Sequence, residues 1–258
     1  MKHINQLLQS IACLWLAVGF SAPLFGGVLI NSYRFSSGGG GGGSDPYFAN
    51  VSFLLHGNGS NGATSSVDQK GHADTAQGSA QLSTTRVKFG TASMRLPSAG
   101  SAFTYAAASD IDLGAGDFTV ELFVNFNTAP TTAVTLISNY PAWSFQWRND
   151  AGAGLYLYYS NSQVAQSGSW TPSTNVWYYV VVKRTGTAIS FWIDGTQSGS
   201  NATNASNFGG ASPTAVGSLP YAAGTYIQTV DAWIDEVRVT KGVSRDVSSV
   251  PTNQFPDS

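Results

Sequence analysis

The chain has one cysteine, Cys13, and it lies in an apolar N-terminal stretch. The rest of the protein therefore has no disulfide and no cysteine-based metal site. Charge is scarce too: 10% of the 258 residues are Asp, Glu, Lys or Arg, against roughly 25% in ordinary soluble domains. The net charge of −2 gives no electrostatic footing for nucleic acid or an anionic membrane. Solubility must come from Ser, Thr, Asn and Gly, a composition that suits extracellular or virion proteins.

Groups that do chemistry are rarer still. Of the three histidines, only His56 and His72 lie in the main body, too few for a zinc site without cysteine. His56, at a strand end, reads as a loop or core-edge residue. No Gly-x-Ser-x-Gly elbow offers a nucleophile. Glycoside cleavage needs two carboxylates flanking the scissile bond. The two glutamates, Glu121 and Glu236, fall in separate strands, which leaves only Asp pairs. The expectation is a protein that is not an enzyme. Helical periodicity is missing as well.

What the chain does have is strand pattern. Asp117–Asn127 alternates: Phe118, Val120, Leu122, Val124 and Phe126 share one face, with Thr119, Glu121 and Asn125 opposite. Phe123 breaks the polar face and requires cover from another layer. Trp177–Gly195 reads as a hairpin turning at Thr185-Gly186-Thr187, with a second turn at Asp194-Gly195. Trp233–Arg245 reads as a closing strand, in which Asp235 pairs with Arg238 or a backbone donor. Val51–Leu55, Ala80–Leu82, Ser93–Leu96, Phe103–Ala106, Val134–Ser138, Trp143–Arg148, Gly154–Tyr159, Gln163–Ala165 and Thr214–Ser218 continue the pattern. Short strands at this spacing predict an all-β antiparallel sandwich or jelly roll over residues 45–258.

The N-terminus differs from the rest. Residues 1–35 hold an uncharged run from Ile11 to Ile30, and Ser36–Ser44 is a Gly/Ser linker ending before Asp45-Pro46. Three readings stay open for 1–35. A signal peptide would use Lys2 and Ile11–Phe20. A membrane anchor has the length of about 20 residues but contains Pro23, Gly26 and Gly27. The third reading is an arm docked on a partner protein.

Three segments, GDFTVELFVNF, WYYVVVKRTGTAISFWIDG and IDEVRVTKGVSR, resemble the concanavalin A-like, laminin-G-type jelly-roll family, and KFGTASMRL fits a further strand of it. DPYFANVSFLLHGNGSNG, the Gly-rich lead-in and the ending VSRDVSSVPTNQFPD are similar to copies carried on bacteriophage tail or virion proteins. The resemblance implies a virion-associated structural protein displaying a carbohydrate-binding or adhesion module. Its partners would be a cell-surface glycan and, through residues 1–44, other virion proteins in a symmetric assembly. The alternatives are a secreted or membrane-anchored lectin-like module and a purely architectural virion component. The β-glucanase members carry Glu-x-Asp-x-x-Glu, which Glu121 and Phe123 do not match. His56-Gly57-Asn58-Gly59 and Pro97-Ser98-Ala99-Gly100 also lack carboxylates found near the loops where relatives hold calcium.

Two sets of candidate residues remain. Asp110, Asp112 and Asp117 bracket a Gly-rich loop and offer hard oxygen ligands for calcium, or else local turn and cap bonds. Aromatic rings stack on sugar C–H faces. Trp143 and Trp147 share a face with Phe145, Tyr156 and Tyr158 share another, and Trp170 and Tyr221 sit in loops. These six are the expected sugar contacts, whereas Trp177, Trp192 and Trp233 are expected in the core.

Overall fold

The computed structural model describes residues 43–258 apart from Ala151. The signal, anchor or arm expected over residues 1–35, and nearly all of the 36–44 linker, lie outside the described residues. A short 3-10 turn, Phe48–Asn50, leads into β1 (Val51–Leu55), β2 (Asp74–Gln77), β3 (Gln81–Ser83), β4 (Ser93–Leu96) and β5 (Ala102–Ala108). Next come β6 (Phe118–Phe126), β7 (Val134–Asn139), β8 (Trp143–Arg148), β9 (Gly154–Tyr159) and β10 (Ser162–Gln166). The long hairpin is β11 (Trp177–Thr185) and β12 (Ala188–Ile193), followed by β13 (Thr196–Gln197) and β14 (Ala202–Thr203). The chain closes with β15 (Ser212–Val216), β16 (Leu219–Ala222), β17 (Thr225–Ile227) and β18 (Ala232–Lys241).

One sheet has nine strands in the order β13-β12-β11-β6-β18-β4-β3, with β1 also on β18 and β14 on β12. The other has seven, in the order β10-β9-β8-β7-β15-β5-β2. β16 and β17 pair only with each other. The named pairings are antiparallel, and Gly186, at φ +60°, makes the β11–β12 turn. The sheets meet face to face, with the Phe145 ring of β8 centred 6.2 Å from Phe191 of β12. This is the sandwich the strand pattern predicts.

Strand β6 shows why the layers form. Phe118, Val120, Leu122, Val124 and Phe126 enter the core between the sheets. Phe123 points the other way, into a second cluster with Leu54, Tyr179, Val181, Val247 and Phe255. The last residues of the chain supply the cover that Phe123 requires. The Asp45 N–H donates to the Ser258 carbonyl at 2.7 Å, so the two ends of the domain meet on this face.

Much of the chain's small stock of charge is buried here. Glu121 accepts Arg238 Nε at 2.9 Å and the Tyr179 hydroxyl. Asp45 accepts Arg238 at 3.2 Å and Arg245 at 3.0 and 2.7 Å. Of the partners open to Asp235, backbone donors are the ones present: Lys88 N–H at 3.0 Å and Phe89 N–H at 3.1 Å. A bulge between Asp235 and Arg238 turns the two side chains to different partners. The tryptophans expected in the core divide. Trp177 and Trp192 flank the second cluster half-buried. Trp233 is buried between the guanidiniums of Arg86 and Arg95, 4.0 and 4.2 Å from its ring, rather than among apolar side chains.

Candidate functional site

The outer face of the seven-stranded sheet is polar where the other sheet's outer face is sealed. In β8 the period of two sends Trp143, Phe145 and Trp147 into the core and turns Ser144, Gln146 and Arg148 to the sheet's outer face, where Ser144 and Gln146 are largely covered. In β9, Leu155 and Leu157 turn inward and Tyr156 and Tyr158 outward. Register places Ser138, Ser144 and Tyr158 in one row across the sheet, with Gln146 beside Tyr156 in the next.

A groove of about 370 Å³ runs over this face. Ser144, Gln146, Arg148 and Tyr158 form its floor, and Tyr140, Tyr221 and Gln228 its wall. The wall exists because Tyr221, expected in a loop, lies in the β16–β17 hairpin, which turns around Gly224 at φ +70°. The Gln228 carbonyl accepts the Thr135 N–H at 2.7 Å and ties the hairpin to β7. Tyr221 is 61% exposed, and its ring lies 6.3 Å from that of Tyr140.

The floor is pre-organised by a chain of hydrogen bonds. Arg148 Nε donates to Asp150 at 2.8 Å and Nη2 to the same carboxylate. Its Nη1 donates to Gln146 Oε1 at 3.0 Å, and Gln146 Nε2 donates to Ser144 Oγ at 2.7 Å. The guanidinium lies 4.9 Å from the Tyr158 ring. The lining side chains are aromatic rings, amides, hydroxyls, the aliphatic Pro141, Leu219 and Ile227, and one paired cation, with no carboxylate among them.

The six expected ring contacts divide accordingly. Tyr158 and Tyr221 line the groove. Tyr156 faces the same side, but it is covered, and its hydroxyl donates to the Gly152 carbonyl at 2.7 Å. Trp143 and Trp147 are each 1% exposed and belong to the main core; Trp143 also lines the groove, whereas Trp147 does not reach it. Trp147 Nε1 donates to the Trp170 carbonyl at 3.0 Å. Trp170 itself packs half-buried against Phe126 and Tyr178, at 6.3 and 5.1 Å, away from the groove. Tyr140, Gln146, Arg148 and Gln228 were not singled out in the sequence. The signal that marks Tyr140, Gln146 and Arg148 is the polar alternation of β8 beside a Tyr-Pro turn; Gln228 carries no such local signal.

The three aspartates offered for calcium are not brought together. Asp110 faces His72 Nε2 at 3.1 Å, Asp112 pairs with Lys241, and Asp117 accepts the Gly186 N–H at 2.7 Å. The carbonyls of their loop are taken by Arg184, which donates to Gly116 at 2.9 Å and Gly114 at 3.2 Å. The same guanidinium donates to Ser206 O at 2.7 Å. Among the described residues, no group of three or more His, Cys, Asp or Glu is placed to hold a metal ion.

Residues 100–245 match the family model described as the concanavalin A-like lectin/glucanases superfamily. The chain belongs to this superfamily. Solved structures share the fold at low identity. Domain 4 of AbnA, a GH43 extracellular arabinanase from Geobacillus stearothermophilus in complex with arabinotriose, aligns at TM-score 0.59 and 15% identity, covering 77% of this chain and 97% of that one. The binding domain of Paraclostridial Mosquitocidal Protein 1 aligns at TM-score 0.58 and 12% identity, over 78% of this chain and 52% of its own. A Trypanosoma rangeli sialidase mutant aligns at TM-score 0.55 and 14% identity, over 78% of this chain but 32% of its own. The chain thus spans about half the length of the mosquitocidal-protein binding domain and a third of the sialidase. No curated protein sequence matches it. As a concanavalin A-like domain it is lectin-like, and its two glutamates lie buried on the face opposite the groove.

Proposed function

We propose that this protein is a carbohydrate-binding module that holds a saccharide in the groove between the seven-stranded sheet and the β16–β17 hairpin, without cleaving it. The observation that carries the reading is the pair Tyr140 and Tyr221 standing over a floor of hydrogen-bonding groups whose one cation, Arg148, is paired with Asp150. Rings supply stacking area for sugar C–H faces, and the amides and hydroxyls match sugar hydroxyls. Cleavage would need two carboxylates across the bond, and the groove lining has none. Domain 4 of AbnA, solved with arabinotriose, shares this fold over nearly its whole length.

The module is displayed by a larger assembly, a virion or phage tail, through residues 1–44. The likeness of DPYFANVSFLLHGNGSNG and its glycine lead-in to virion-borne copies supports this. Intact mass of the protein from its native source tests it, because a docking arm persists in the mature chain whereas a secretion signal is removed.

The binding reading is tested with Tyr221→Ala. The ring is exposed, so folding stability should stay within about 0.5 kcal/mol of the parent. Loss of stacking should weaken saccharide binding by about tenfold. Full binding by the variant, or no binding of any glycan in a broad panel by the parent, would sink the reading.

A further inference from the structure

Resting on that reading, we infer that the groove selects neutral saccharides over acidic ones, and that Asp150 enforces the selection by occupying Arg148. A polyhydroxy ligand and a carboxylate-bearing one both need donors, but only the second needs an uncompensated cation. Arg148 is the one charged side chain lining the groove. Its Nε and Nη2 are aimed at Asp150 and its Nη1 at Gln146. The pair is the fork-to-fork arrangement in which a guanidinium recognises a carboxylate. Asp150 therefore already fills the position that a uronate or sialate carboxylate would take.

What remains for a ligand is neutral. No described residue accepts a hydrogen bond from the hydroxyls of Tyr140, Tyr158 or Tyr221. Gln228 uses its Oε1 to accept the Thr135 hydroxyl at 3.2 Å and keeps its amide N–H groups for a ligand. An acidic sugar entering here would lose the hydration of its carboxylate and meet the Asp150 charge, without a free cation in return.

The test uses the full chain on a panel of neutral oligosaccharides and their uronate- or sialate-bearing counterparts of equal length. The parent should bind neutral members, with affinity little changed as salt is raised, because no net charge is being paired. Asp150→Asn keeps the side chain's shape, frees the Arg148 charge, and should raise affinity for acidic members by about tenfold in a salt-sensitive way. Asp150 is exposed, so the variant should fold as the parent does.

Parent binding that favours acidic members and is lost in Tyr221→Ala would overturn this inference while leaving the carbohydrate-binding reading intact. An unchanged preference in Asp150→Asn would likewise overturn it. Failure of the parent to bind any member would overturn the binding reading and this inference with it.

Discussion

His56 Nδ1 lies 2.9 Å from both carboxylate oxygens of Glu236, across 180 residues of sequence. Its Nε2 reaches Asp257 in the tail at 2.6 Å, and Glu236 also accepts the Phe255 N–H at 2.8 Å. The imidazolium is thus a clasp between β18 and the last residues of the chain. Burial opposes its charge, but the Glu236 bond and charge, followed by those of Asp257, outweigh burial and raise its pKa to about 9.

A raised imidazole pKa stabilises the fold fully below the unfolded value of 6.5 and progressively less as pH climbs through 9. The melting temperature should therefore fall between about pH 7 and pH 10, by an amount corresponding to roughly 2 kcal/mol. His56→Gln should melt lower than the parent near neutrality and show a flatter alkaline limb. Thermal melts across this range, parent against variant, decide the matter. An equally steep limb in the variant would remove the clasp from the account.

Asp45 is the second fastening. It is buried against Arg238 and Arg245, and these bonds hold its carboxyl below the usual range despite the opposing effect of burial. Removing the acid leaves two buried guanidiniums short of a counter-charge. Asp45→Ala should cost about 3–5 kcal/mol. A chain starting at residue 45 should fold as the longer one does, whereas one starting at 47 should be as unstable as Asp45→Ala. Denaturant titration of the three proteins measures this.

Phe255 is the plug of the tail, packed against Phe123 with the Arg238 guanidinium 3.8 Å from its ring. Phe255→Ala should cost about 3 kcal/mol and expose the second cluster to a hydrophobic dye below the main transition. It should not alter saccharide binding, because the groove lies on the opposite sheet. A dye-binding melt and a glycan titration on the same sample read both quantities.

Calcium and chelator should each leave the melting temperature unchanged, because Asp110, Asp112 and Asp117 are engaged separately and Arg184 fills their loop. Arg184→Ala should cost at least about 2 kcal/mol by orphaning the Gly116 and Ser206 carbonyls, while Gly114 keeps the Phe208 N–H. Added calcium should not restore it. Calorimetry with and without the ion would reveal any hidden site.

Several of these features are legible in the sequence, and others follow only from contacts distant along the chain. Alternation in β6 gives both faces, and Phe123 among polar neighbours already announces a third layer. Period two also groups Trp143 with Trp147 and Tyr156 with Tyr158. It does not say which group faces inward, because both faces of β8 and β9 together carry enough aromatic surface to bury. The clasp at His56 is invisible for a different reason. A lone histidine beside glycines carries no local pattern, and its partners arrive from the far end of the chain. The β16–β17 wall is hidden by Pro220 and Gly224, which read as loop when no sheet partner is known.

The contact between Asp45 N–H and the Ser258 carbonyl has an engineering consequence. The polypeptide enters and leaves the fold at one spot, on the side away from the groove. Such a cassette can be set into a surface turn of a host protein with a few linking residues on either side. It can also be circularised there and reopened at an exposed turn elsewhere, and in each arrangement the groove faces outward.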